Sequence, residues 1–87
     1  MKDIIFDVDI YNTIRKNIKR YRMEKGITSA QLAEMVGLSH DYVRQIQIET
    51  GGYNFSLETF YKISVALDVP MDTLAKNDVE NETKHLA

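Results

Sequence analysis

From Thr28 to Gln47 the chain reads TSAQLAEMVGLSHDYVRQIQ, with Ala33 four positions before Gly37 and Val43 six positions after it. Two short helices cross at roughly 90–120° over a turn of 3–4 residues only under three conditions: the facing residue is small, the turn residue tolerates unusual φ/ψ, and an apolar residue fills the angle behind the second helix. Ala33, Gly37 and Val43 meet them in that order, so the spacing is that of a helix-turn-helix. Leu32, Ala33 and Val36 recur with helical period in the first helix and Val43 and Ile46 in the second, with Leu38 in the turn. Thr28 and Gln31 form a capping-box start, and Ser39 is a suitable N-cap for the second helix. The pair is predicted over Ser29 to Val36 and His40 to Ile48.

Working outward, Ile10, Ile14, Ile18 and Tyr21 make an apolar stripe at i, i+4, i+8 and i+11, with Arg15, Lys16, Lys19, Arg20 and Lys25 read as lying mostly elsewhere on the surface. This predicts a first helix ending near Lys25 and stopped by Gly26. Beyond the motif, ETGGYNF (49–55) has the glycines and asparagine of an irregular loop. Ser56 caps a fourth helix with Leu57, Phe60, Ile63, Ser64 and Leu67 on one side and Glu58 in its first turn. Pro70 suits position N1 of a short fifth helix through Leu74. Residues 1–9, MKDIIFDVD, are read as an arm with some strand character, 10–76 as one domain, and 77–87 as a polar, frayed tail.

Eighty-seven residues make one domain with little room for a deep catalytic cleft. The chain has no cysteine, and its histidines, His40 and His85, have no ligand spacing, so neither a disulfide framework nor a metal centre is expected. Asp7 and Asp9 lack the further ligands a metal or acid pair needs. No cofactor is called for and no enzyme is expected. No uninterrupted aliphatic or aromatic run is longer than Ile4 to Phe6, far from the roughly 20 residues of a membrane span, and no apolar h-region follows Met1 and Lys2. A cytoplasmic protein without membrane contact is the expectation.

The net charge of −2 is unevenly spread: residues 1–9 carry −2, residues 10–52 carry +3, and residues 53–87 carry −3. Phosphate binding follows local potential rather than the total, so the positive middle is able to track a duplex, with a grip that weakens as salt rises.

The run NIKRYRMEKGITSAQLAEMVGLS (17–39), followed by SLETFYKISVALDVPMDTL (56–74), resembles the Cro/repressor (Xre-type) helix-turn-helix family. Arg22, Gly26, the Leu32–Glu34 triplet, Gly37 and the leucine-rich fourth helix carry the resemblance. It implies an all-α, compact five-helix DNA-binding domain, with helices 2 and 3 as the helix-turn-helix and the third helix entering the major groove. It also implies a transcriptional regulator that is commonly dimeric. Two departures stand out. Gln47 occupies the place of a family glutamate that pairs with the arginine aligned with Arg22; its amide accepts from the guanidinium without neutralising it, so Arg22 must stay solvated or recruit another carboxylate such as Glu49, and a weaker joint is predicted there. The segment IETGGYNF (48–55) is longer than the family's short glycine turn.

In such a helix the N-terminal side chains reach base edges, while capping residues and flanking loops hold phosphates. His40, Asp41, Arg44 and Gln45 are the base-reading candidates: Arg44 suits guanine O6/N7, Gln45 adenine N6/N7, and Asp41 a cytosine amine. The plain alternative is a solvated helix face. Ser29, Ser39, Tyr42, Arg20, Tyr53 and Asn54 are the phosphate candidates. For Ser29 the resemblance implies that role, and the residue reads equally as ordinary surface polarity at a helix N-terminus. Tyr42 reads equally as a half-buried packing residue. The group Arg15, Lys16, Lys19 and Arg20 reads either as a phosphate patch or as a solvated face.

The first reading is thus a sequence-specific repressor, a homodimer on a palindromic or pseudo-palindromic double-stranded operator. The alternative is an antitoxin-like or protein-interaction module with secondary DNA binding, its protein partner held by the acidic C-terminal third.

Overall fold

The computed structural model describes residues 9–48 and 53–76, and all regular structure among them is helical. The order is α1 (Ile10–Glu24), α2 (Ser29–Val36), α3 (His40–Gln45), α4 (Leu57–Leu67) and α5 (Met71–Leu74). No helix among the described residues is long and apolar enough to cross a membrane. The proposed arm, apart from Asp9, and the proposed tail lie outside the described residues, as does Glu49.

The starts of α1 to α4 are each set by a short polar side chain. Asp9 accepts from the Asn12 amide, Ser39 from the Tyr42 amide at 3.1 Å, and Ser56 from the Thr59 amide at 3.1 Å. At α2 the capping box is complete: the Gln31 amide donates to Thr28 Oγ1 at 3.0 Å, and the Thr28 amide to Gln31 Oε1 at 2.7 Å. α2 closes on Gly37, which is left-handed at φ 72°, with the Leu38 amide returning to the Ala33 carbonyl at 3.0 Å. Pro70 is the N-cap of α5 rather than its first residue, a shift of one position.

The core gathers Ile14 and Ile18 from α1, Leu32, Ala33 and Val36 from α2, Val43 from α3, Ile46 just beyond it, and Ile63 and Leu67 from α4. Ala33 and Val43 are buried as the spacing requires, so α2 presents its small residue where α3 packs. The methyl-free turn residue has a testable cost. A Cβ built at Gly37 meets nothing within 4 Å, so the penalty of Gly37→Ala comes from the backbone conformation alone. Urea unfolding is expected to show a loss of about 1 kcal/mol for Gly37→Ala and a smaller one for Gly37→Asn, because asparagine tolerates the left-handed region. Equal losses would place the cost elsewhere.

Three expectations are corrected. α3 ends at Gln45, not Ile48: the Gln47 and Ile48 amides donate to the Arg44 and Gln45 carbonyls, which tightens the chain into an i→i+3 turn. Leu57 is 73% exposed instead of lying on the buried side of α4. Phe55 takes that place: it precedes the Ser56 cap, is buried, and meets Phe60 edge to face at 6.3 Å, a hydrophobic staple. Arg15 is only 4% exposed and belongs to neither a solvated face nor a phosphate patch. Its Nη1 donates to the carbonyls of Ile46, at 3.1 Å, and of Tyr53, and its Nη2 donates to Asn54 Oδ1 at 2.8 Å. Asn17 is buried as well, and its Nδ2 donates to the Leu74 and Lys76 carbonyls at 2.7 and 2.8 Å. It thereby ties α1 to the end of α5.

Candidate nucleic-acid interface

Val43 and Ile46 fix the rotation of α3, since both are fully buried. At 100° per residue, Asp41, Arg44 and Gln45 then share an arc of about 100° on the side turned away from the core. His40, the first residue of α3, is exposed on the flank of that arc. The structure therefore brings the four base-reading candidates onto one end and one face of a short helix.

Two of them are also paired with each other. Arg44 Nη2 donates to Asp41 Oδ1 at 3.0 Å, one turn apart, with side chains 59% and 61% exposed. An exposed pair of this kind contributes about 0.2–1 kcal/mol at most, so it steers the guanidinium without locking it. Asp41 also lies in the first turn of α3, where its charge favours the helix dipole.

The flanking candidates divide. Ser39 accepts the Tyr42 amide at the N-cap and is exposed. Tyr42 is half-buried against the core, lies 6.2 Å from the Tyr53 ring, and donates its phenol at 3.4 Å to the Asn54 carbonyl. Its packing role is therefore visible, and its hydroxyl is turned to the protein. Asn54 is exposed and offers Oδ1 to Arg15. Because a guanidinium only donates, that bond fixes the amide orientation and leaves Nδ2 as the outward donor. Arg15 thus reaches from α1 to both Ile46 and the Tyr53–Asn54 pair, holding one wall of the interface against the end of α3.

Arg20 stands apart. It lies about 140° around the helix axis from Arg15, whose flank meets the end of α3. Its Nε donates to Glu24 Oε2 at 2.9 Å, and its guanidinium sits 5.2 Å from the Tyr21 ring.

The Gln47 position is well organised despite the neutral side chain. Arg22 Nε donates to Gln47 Oε1 at 2.9 Å, and Arg22 Nη1 to the Ile27 carbonyl at 2.8 Å. Gln47 Nε2 donates to the Val43 carbonyl at 2.8 Å and to Ser29 Oγ at 3.0 Å. One amide links α1, α3 and the first residue of α2, and among the described residues the part-buried Arg22 is held by neutral acceptors, Gln47 Oε1 and the Ile27 carbonyl.

Sequence reasoning missed Arg15 and Asn17. A signal for Arg15 was present: it lies seven residues before Arg22, hence on the same flank of α1, and Arg22 was already placed against the end of the third helix. Asn17 had no comparable signal, because its partners are carbonyls near the far end of the domain.

A family model described as helix-turn-helix matches residues 18–74. The HTH-type transcriptional regulator SinR of Bacillus subtilis (strain 168) is 36% identical over 74 residues, which cover 83% of this chain and 62% of that protein. The chain thus spans about three fifths of the length of this relative. A crystal structure of SinR, the master regulator for biofilm formation, in complex with DNA is similar at TM-score 0.65 and 36% identity, covering 72% of this chain and 98% of that one. The hypothetical transcription factor NHTF from Neisseria shares the fold at TM-score 0.78 and 23% identity, over 95% of this chain and 93% of that one. With the capped helix pair, its left-handed Gly37 and its buried Ala33 and Val43 inside the matched span, the chain belongs to the helix-turn-helix family of Cro/repressor (Xre) type.

Proposed function

We propose that the chain is a sequence-specific DNA-binding transcriptional regulator, a cytoplasmic repressor that acts as a homodimer without performing chemistry. The observation that carries this is the outward face of α3: Arg44 and Gln45, two residues suited to bidentate base recognition, stand opposite a buried Val43 and Ile46. Arg44 and Gln45 are the principal readers, with His40 and Asp41 contributing at the helix start. Ser29, Ser39 and Asn54 hold phosphates on either side, while Tyr42 and Tyr53 shape the wall. Repression follows from occupying promoter DNA.

Selection from a randomised duplex library at about 150 mM salt tests this. The expected result is an inverted repeat with half-sites about 34–36 Å apart, or a multiple of that, as a two-fold dimer of this motif requires. A pool with no enriched sequence would overturn it. In that event the second reading gains, a module whose main affinity is for another protein. The exposed Met35, Tyr61 and Val65, which line one groove between α2 and α4, are the observation favouring it.

A further inference from the structure

We infer that Gln47 is a positioning residue for phosphate binding: its side-chain amide fixes the Ser29 hydroxyl as an outward donor, so the hold of Ser29 on a duplex backbone depends on a neutral amide at the end of α3. The inference rests on the DNA-binding reading and assigns the polarity of one contact within it.

The chain of donors and acceptors leaves a single solution. Arg22 has donors only, so the atom it meets at 2.9 Å must be the Gln47 oxygen. Nε2 is then fixed on the other side with two hydrogens, and it has two acceptors, the Val43 carbonyl at 2.8 Å and Ser29 Oγ at 3.0 Å. Gln47 is 9% exposed, which makes an inverted, unpaired amide costly and holds this orientation. Ser29 Oγ is thus an acceptor from within the protein, and its own hydrogen is directed elsewhere. Ser29 is half-buried as the first residue of α2, so the side of the hydroxyl not facing Gln47 is the one open to a ligand. A phosphate oxygen accepts and never donates, and a hydroxyl already receiving a hydrogen bond is a better donor to it.

A carboxylate at this position would reverse the arrangement. It would still accept from Arg22, yet it would offer an acceptor to the Val43 carbonyl and to Ser29. The Ser29 hydroxyl would turn inward to donate, and its outward contact would be lost. Ser29 and Gln47 are therefore coupled in DNA affinity, beyond any uniform repulsion of phosphate by an added negative charge.

The test is a double-mutant cycle on the duplex selected above, with wild type, Ser29→Ala, Gln47→Glu and the double variant measured at two salt concentrations. Ser29→Ala is expected to weaken wild type about tenfold, as loss of a hydrogen bond to a charged group does. On top of Gln47→Glu it should change affinity less than twofold. Salt will shrink the overall penalty of Gln47→Glu and leave the coupling in place. Ser29→Thr, which keeps the hydroxyl, should bind within about threefold of wild type. An equal cost of Ser29→Ala in both backgrounds overturns the inference and leaves DNA binding standing. Failure of wild type to bind any duplex overturns both. A readout that needs no change at position 47 is the NMR signal of its side-chain amide. It should shift when duplex is added to wild type and stay put in Ser29→Ala, whereas no shift in wild type overturns the inference.

Discussion

Replacing Arg15 by alanine is expected to lower the stability of the domain by about 3 kcal/mol, an effect as large as removing a core aliphatic side chain. Three acceptors lose their donor together: the Ile46 and Tyr53 carbonyls and Asn54 Oδ1. A buried carbonyl left without a partner costs about 1–3 kcal/mol, whereas the exposed Asn54 recovers most of its loss from water. Some of the penalty is offset, because Arg15 Nε is itself buried without a partner and the charge is held without a carboxylate among the described residues. The midpoint of thermal unfolding should fall by roughly 10–20 °C for a domain of this size. Arg15→Lys should recover little, since an ammonium on a flexible stem does not span three acceptors as the planar guanidinium does. Urea unfolding measures both variants, and a loss under about 0.5 kcal/mol would mean that Arg15 is solvated, as its place in a basic run suggested.

That contrast marks the boundary of what the amino-acid order reveals. The helix-turn-helix was legible because its determinants are close in sequence: Thr28 with Gln31, Ser39 with the Tyr42 amide, Ala33 with Gly37 and Leu38. Caps, capping boxes and left-handed closures are local, and apolar periodicity then fixes which face is buried. Burial of polar side chains follows a different rule. Arg15 is inside because the Ile46 and Tyr53 carbonyls, 31 and 38 residues away, need a donor, and Asn17 because Leu74 does, 57 residues away. No window along the chain contains both halves of such a bond. The end of α3 differs from the expected Ile48 because the Gln47 and Ile48 amides turn back to the Arg44 and Gln45 carbonyls, and the Ile46 carbonyl, an orphan at this helix end, is taken by Arg15. Leu57 was misplaced because its spacing fits the stripe, while Phe55, just outside the helix, holds the space. The candidate readers on α3 were legible for the opposite reason: side chains pointing away from a well-marked core stripe need no distant partner to be placed.

The Arg44→Ala, Gln45→Ala double variant is expected to lose about 10²–10³-fold in affinity for its selected duplex while unfolding like wild type. The stability side follows from exposure: Arg44 is solvated apart from its bond to Asp41, and Gln45 is outside the core. The affinity side follows from bidentate base contacts worth about 1–3 kcal/mol each, reduced for Arg44 by the Asp41 interaction it must loosen. The two single variants should separate by mechanism. Arg44→Ala removes a cation near the backbone as well as a base contact, so it should flatten the dependence of affinity on salt. Gln45→Ala should leave the salt slope alone and relax preference at one adenine-bearing position. Binding of single and double variants, measured across a salt series on the selected duplex and on copies altered at single positions, distinguishes these effects. A double variant within threefold of wild type would remove the outward face of α3 from the groove, whatever the fold. If both singles lost affinity uniformly across sequences, α3 would be contacting phosphates alone, and specificity would have to come from the shape of the DNA.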